Sequence, residues 1–284
     1  MHAVTPLQKW LVEVILEPSQ ATNMLKFRCL CRSRELSKRN NIPLFTTSFH
    51  HFHNLLELYL QPSKSIFMRI AIVGAGLSGL CFYLFLRNTG LLDAHDVLIY
   101  EFRDVTEGDS SSPEAESNYN ASLNGGALGL ALNGLNVLRR LDQVLYEEII
   151  KAGHHINSWK LSNARGWKLG EIPAKFEGES GIMIWRRDIW RCFRKRVVDS
   201  AFVRKKLVNV EVPQVGPQIL HFSDETCAPA DLVIGADGIW SVVRKAVLEE
   251  PNASKFLPHY EGLVGCGGVV PLEGMKTIPH GQMK

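Results

Sequence analysis

Residues 68–101 read MRIAIVGAGLSGLCFYLFLRNTGLLDAHDVLIYE, and their reading decides the fold. Ile70, Ala71, Ile72 and Val73 form a short apolar run of the β-branched kind that suits a buried parallel strand. Gly74-Ala75-Gly76-Leu77-Ser78-Gly79 follows, then a helical stretch predicted over residues 80–87, then a second apolar run, 97–100, ending on Glu101. A lone GxGxxG is a weak signal. Set between a strand and a helix, with an acid at the tip of the next strand, it becomes a dinucleotide fingerprint.

Each part has a physical task. Gly74 permits the tight turn, Gly76 lets a pyrophosphate approach the backbone, and Gly79 lets the helix pack against the strand. N–H groups at the helix start and the helix dipole favour the phosphate charge. Glu101 can accept from ribose hydroxyls and would repel a 2′-phosphate, which leaves NAD or the ADP half of FAD at this position. The competing reading is a membrane span over residues 70–86. That stretch is at the low end of the roughly 17–25 residues a span needs, holds three glycines and a serine, and leaves 97–101 unexplained.

The chain has 284 residues, enough for one large or two ordinary domains with a sizeable core. A net charge of +3 is too small to indicate a nucleic-acid binder, and it is unevenly spread. Residues 1–67 carry eight Lys or Arg against four Glu, which leaves the remainder at −1. Residues 26–39 hold six basic side chains and one acid, faintly like a mitochondrial transit segment, and no stretch has the pattern of a secretory signal. The expectation is a cytoplasmic protein, with a mitochondrial location as the alternative, and residues 1–67 as a poorly ordered N-terminal extension. The six cysteines (29, 31, 81, 192, 227, 266) show no metal spacing, and His50, His51 and His53 have no companion ligands. No metal site is expected, and the cysteines read as free thiols.

Residues 107–120 read as a surface loop. In LNGGALGLALNG, 123–134, the glycines imply close approach of backbone to a cofactor or a packed neighbour, and Asn133 or a neighbour is expected to cap the next helix. Leu135, Leu138, Leu141 and Leu145 recur at helical spacing and predict a core face. Residues 156–172 predict a hairpin turning through 163–166, and a helix is expected over 190–198. The run 231–238, DLVIGADG, predicts a buried strand ending in a polar turn. There Asp237 can hold the backbone and Ser241 can cap the helix containing Arg244.

RIAIVGAGLSGL, VLIYE, GGALGLALNGLNVLRRL, WRRDIWRCF and ADLVIGADGIWSVVR, in this order over about residues 68–270, resemble the FAD-dependent group A monooxygenases built like para-hydroxybenzoate hydroxylase. The resemblance implies an α/β fold: a Rossmann-like FAD-binding domain with a parallel sheet over 68–250, interrupted by a hairpin at about 154–180. Residues 251–284 would begin an antiparallel substrate-domain sheet.

It further implies that Gly74, Ala75, Gly76, Leu77, Ser78 and Gly79 lie on the FAD pyrophosphate, Glu101 on the adenosine ribose and Gly126 near the flavin. Arg186 would contact FAD, with Arg187 in reserve, and Asp237 and Gly238 would match the Asp-Gly motif associated with FAD and the nicotinamide cofactor. The implied activity is a hydroxylation in which NADH or NADPH reduces FAD, and O2 then delivers one oxygen atom to a small organic substrate. The family's third motif, Gly-Asp-Ala-(Ala)-His, is not among the 284 residues, so a non-catalytic FAD-binding remnant stands as an alternative. An NAD-binding dehydrogenase is the weaker one. No general base can be named; His154, His155 and His259 qualify only by residue type.

Overall fold

The computed structural model describes residues 10–13, 16–18, 25–30, 44–48, 67–103, 126–156, 158–163, 165–173, 175–176, 179–213, 216–248, 259–260 and 262. The loop expected at 107–120, the strands expected beyond 262, and the Cys31 and His50–His53 readings lie outside these residues.

Along the chain come β1 (Trp10–Glu13), β2 (Leu16–Pro18), β3 (Leu25–Leu30), β4 (Leu44–Ser48) and β5 (Arg69–Val73). Next are α1 (Leu77–Asn88), α2 (Leu91–Ala94), β6 (Asp96–Glu101), β7 (Ala127–Leu130), α3 (Leu132–Leu141) and α4 (Gln143–Ala152). They are followed by β8 (His154–His155), β9 (Ser158–Ser162), β10 (Lys168–Pro173), β11 (Lys175–Phe176), β12 (Glu179–Ser180), β13 (Ile182–Trp185) and α5 (Arg186–Arg194). Last are β14 (Phe202–Arg204), β15 (Leu207–Glu211), β16 (Gln218–Phe222), β17 (Cys227–Ala230), β18 (Leu232–Gly235) and α6 (Val242–Leu248). The chain divides into two compact units: Met1–Ser110 with Phe193–His259, and Ser111–Cys192 with Tyr260–Lys284.

The first unit is built on a five-stranded sheet of order β1-β18-β5-β6-β14, parallel throughout. The run that competed as a membrane span is therefore a strand followed by a helix. Among the described residues no helix is long and apolar enough to cross a membrane.

Alternation along β5 sends Ala71 and Val73 to one face of the sheet, where they join Tyr100, Leu220, Phe222, Val233, Val243 and Val247 in one core. The antiparallel meander β15-β16-β17 and α6 supply the other side of that core, and the Tyr100 and Phe222 rings stack at 4.9 Å. Ile70 and Ile72 point to the opposite face and are also buried, and α1 is buried along Gly79–Leu86. At the amino ends of β5 and β18, Asp231 accepts from the Arg69 backbone N–H (2.8 Å) and from its guanidinium through both oxygens (3.0 Å each). Partial burial works against the Asp231 charge, but the bonds and charge of Arg69 outweigh it and hold the carboxyl below its usual range.

Residues 1–67 contribute more than a leading extension. Strand β1 lies parallel to β18, pairing Trp10 with Leu232 and Glu13 with Gly235, so Met68 does not mark the edge of the sheet. Strands β2, β3 and β4 form a separate antiparallel sheet.

In the second unit, β13 lies between β7 and β8, antiparallel to both. The leucine face is buried at all four expected positions, but it belongs to two helices. The chain breaks at Asp142, whose Oδ1 accepts from the Leu145 N–H (2.9 Å) as the cap of α4. Asn133 does not cap α3. Ala131 occupies that position, and Asn133 lies inside the first turn, accepting from Gly134 N–H (2.9 Å). The expected hairpin is β9-β10; its turn is held by Asn163 Oδ1, which accepts from Arg165 and Trp167 N–H at 3.0 Å each, with Gly166 at φ +80°. The helix expected at 190–198 begins at Arg186 instead and ends at Arg194.

Candidate functional site

The carboxyl ends of β5, β6 and β18 meet in the first unit. Sheet bonding runs one residue beyond each strand: Gly74 N–H donates to Tyr100 O and Ala236 N–H to Val73 O, both at 2.8 Å. The glycine turn after β5 and the Asp-Gly turn after β18 are thereby adjacent.

The three fingerprint glycines differ in their surroundings. Gly74 has φ +104°, and a Cβ there would lie 2.4 Å from Ala236 O. A Cβ on Gly79 would lie 1.9 Å from Gly74 O, so the helix can approach the turn only without one. A Cβ on Gly76 would meet nothing within 4 Å. Gly76 is the N-cap residue of α1 and offers no side-chain cap, so the N–H groups of Leu77, Ser78 and Gly79, ahead of the first helical bond from Leu80 N–H to Gly76 O (3.0 Å), have no intrahelical acceptor. Open space in front of uncapped donors is a cradle that a dinucleotide pyrophosphate fits.

Glu101 has a second task that the sequence did not reveal. Its Oε2 accepts from Ala75 N–H (2.8 Å) and its Oε1 from Arg103 N–H (3.0 Å). The acid fastens the fingerprint turn to the end of β6. A carboxylate has about four acceptor sites, so capacity for a ribose hydroxyl remains.

Asp237 is occupied by its own chain. Its Oδ1 accepts from Ser241 Oγ (2.5 Å), and its Oδ2 accepts from the N–H groups of Val242 (2.6 Å) and Val243 (3.3 Å). Ser241 Oγ in turn accepts from Arg244 N–H (2.9 Å). Both residues cap α6, as their spacing suggested, and Gly238 takes φ +80°. Sequence reasoning missed the side chain of Arg244, which donates to Gly238 O (3.1 Å) and Ile239 O (3.0 Å) and braces the Asp-Gly turn. Its position one helical turn inside α6 was the available signal.

Gly126 and Arg186 belong to the second unit, where the structure brings them together: Arg186 N–H donates to Gly126 O (3.3 Å), extending the β7-β13 ladder. Gly126 has φ +59°, and a Cβ there would meet nothing within 4 Å. Arg187 is engaged with Asp188 at 3.5 Å, whereas exposed Arg186 makes no ion pair with a described residue. Arg186 opens α5 rather than preceding it. His154 and His155 are exposed on β8, and His155 Nδ1 lies 2.9 Å from Ser180 Oγ; among the described residues no carboxylate directs either ring. Among the described residues no group of three His, Cys, Asp or Glu side chains is placed to hold a metal ion.

Strand, glycine turn, helix and acid-tipped strand form a Rossmann-like βαβ unit. Residues 72–144 match the family described as "NAD(P)-binding Rossmann-like domain". The chain is 29% identical over 213 residues to 3-amino-4-hydroxybenzoate 2-monooxygenase of Streptomyces cremeus, covering 72% of this chain and 46% of that protein. It is 30% identical over 215 residues to 6-methylsalicylate 1-monooxygenase of Aspergillus terreus, covering 72% and 44%. The solved 2,6-dihydroxypyridine-3-hydroxylase of Arthrobacter nicotinovorans aligns over 64% of this chain and 40% of that one, with 27% identity and a TM-score of 0.47. Over 72% of its length the chain is thus similar to monooxygenases. It spans about half the length of the curated relatives it matches.

Proposed function

We propose that this chain is the FAD-binding part of a flavin-dependent hydroxylase. The whole protein would use NADH or NADPH and O2 to hydroxylate a small organic molecule. One observation carries the reading. Similarity to monooxygenases runs through 72% of the chain, well past the 72–144 match to the Rossmann-like domain. That extent favours FAD over an NAD-dependent dehydrogenase.

When bound, FAD supplies the redox chemistry: it accepts a hydride and, once reduced, activates O2. The protein's part is to bind and orient it. Gly74–Gly79 and the start of α1 would take the pyrophosphate, with Gly76 as the point of closest approach. Glu101 would hold the ribose while fixing the turn through Ala75. Arg186, uncommitted and fixed to Gly126 through its backbone, would supply charge and a fork of donors to cofactor oxygens. Asp237, with Gly238, would act by holding the turn. The domain boundaries that accompany this reading are 68–250 for FAD binding, with a hairpin inserted at about 154–180 and β1 added to its sheet, and 251–284 for the start of a substrate domain. The lack of a nucleic-acid partner agrees with the small net charge of +3, and the location that goes with this reading is the cytoplasm, with the mitochondrion as the alternative.

The test is titration of the chain with FAD and with NAD, followed by release and identification of whatever copurifies. FAD binding with little affinity for NAD is expected; the reverse preference would overturn the assignment. Hydroxylation is expected of a protein with its relatives' full length, measured as substrate-dependent NAD(P)H oxidation.

A further inference from the structure

The first unit carries a second chemical constellation, on the meander face turned away from the core. Along β16, Leu220 and Phe222 are buried and His221 points the other way. Cross-strand pairing sets Cys227 of β17 opposite His221, and Glu211 lies on the neighbouring β15. Cys227 Sγ lies 3.2 Å from His221 Nδ1, and His221 Nε2 lies 3.2 Å from Glu211 Oε2. The three groups stand in line across three strands instead of converging on a point, so they form a relay and not a ligand set.

The partners of the two ring nitrogens assign the tautomer. A carboxylate can only accept, so Nε2 carries the hydrogen and Nδ1 is left to accept from the thiol. Nucleophile, base and orienting acid, each within hydrogen-bond reach of the next, is the arrangement that activates a thiol. Cys227 is exposed, whereas Cys81 and Cys192 are buried. Burial pushes the Cys81 thiol up to about 12, which leaves it inert.

We propose that Cys227 is a covalent modification site, a thiol activated by His221 and Glu211 that exchanges with low-molecular-weight disulfides. The Cys227 proton passes to His221 Nδ1, and the thiolate attacks one sulfur of R–S–S–R. A bond forms between Cys227 and that sulfur as the S–S bond breaks. The departing RS⁻ takes the proton from His221 and leaves as RSH. Cys227 is oxidised to a mixed disulfide, and half of the small disulfide is reduced to thiol. Glu211 acts through the imidazole as a positioning residue.

The test exposes the native full chain to oxidised glutathione at pH 7 and follows modification of each cysteine by peptide mass spectrometry. Cys227 is expected to react faster in the native chain than after unfolding in urea. His221→Asn is expected to slow it about tenfold. Glu211→Ala is expected to slow it about threefold, and Glu211→Gln, which keeps an acceptor for Nε2–H, to stay within about twofold of wild type. Equal rates in native wild type and folded His221→Asn would overturn the proposal, as would a native rate no higher than the unfolded one. Should His221→Asn fail to fold by circular dichroism, the two Glu211 variants decide: equal rates for both would overturn the relay.

Discussion

Gly74 lies so close to Ala236 that a Cβ on the glycine would come within 2.4 Å of the Ala236 carbonyl oxygen. Two turns 162 positions apart in the sequence are thus one structure at the carboxyl edge of the sheet, where open α/β sheets bind their ligands. Substitutions on either turn should be felt on the other.

Gly76→Val separates binding from folding. Its Cβ points into open space, so a melting temperature within about 3 °C of wild type is expected, with FAD affinity lost by at least about a hundredfold. Gly79→Val, whose Cβ would strike Gly74 O, should fail to fold or lose more than about 3 kcal/mol. Flavin titration and thermal melting on both variants check the pair; a Gly76→Val protein that keeps its flavin would refute the cradle.

Glu101→Ala removes the acceptor for Ala75 N–H and for Arg103 N–H. A stability loss of about 1–3 kcal/mol by urea unfolding is expected, together with weaker FAD binding. Glu101→Arg should weaken FAD binding further, because a cation replaces the ribose acceptor. Wild-type affinity in both variants would remove Glu101 from the site.

Asp237→Ala leaves Ser241 Oγ and the Val242 and Val243 N–H groups without their acceptor. The cost expected from urea unfolding is about 1–2 kcal/mol, with hydrogen exchange increased at the start of α6. If FAD affinity falls while stability does not, Asp237 acts on the cofactor directly.

His95 is buried with neither ring nitrogen hydrogen-bonded to a described residue, and burial lowers its pKa below the ordinary 6.5. The unfolded chain takes up a proton near pH 6.5 before the folded one does, so stability falls as pH drops below that value. It levels off below the folded pKa. His95→Leu should flatten this part of the stability–pH curve, measured by urea unfolding between pH 7 and 5. An unchanged slope would show that the ring is solvated in the native state.

Deletion of residues 1–67 removes β1 and exposes the backbone edge of β18. The shortened chain is expected to melt lower and to aggregate sooner by light scattering. Equal melting and solubility would show that the sheet holds without β1.

What the sequence determined by itself is what local chemistry decides. The tight turn at Gly74 and the close helix packing at Gly79 are fixed by spacing within six residues, and the strand, helix and strand around them by apolar period. The caps of α6 were legible for the same reason, since Asp237 and Ser241 reach donors within six positions. Leu135–Leu145 showed which face is buried, but not that Asp142 breaks it into two helices, because the apolar period continues across the cap. Tertiary structure alone decided that Glu101 fastens Ala75, that Gly126 meets Arg186, that β1 pairs with β18, and that Cys227, His221 and Glu211 line up across three strands. Each depends on which strands become neighbours and in what register. That choice follows from burying the faces of the sheet as a whole, and no short window of sequence contains it.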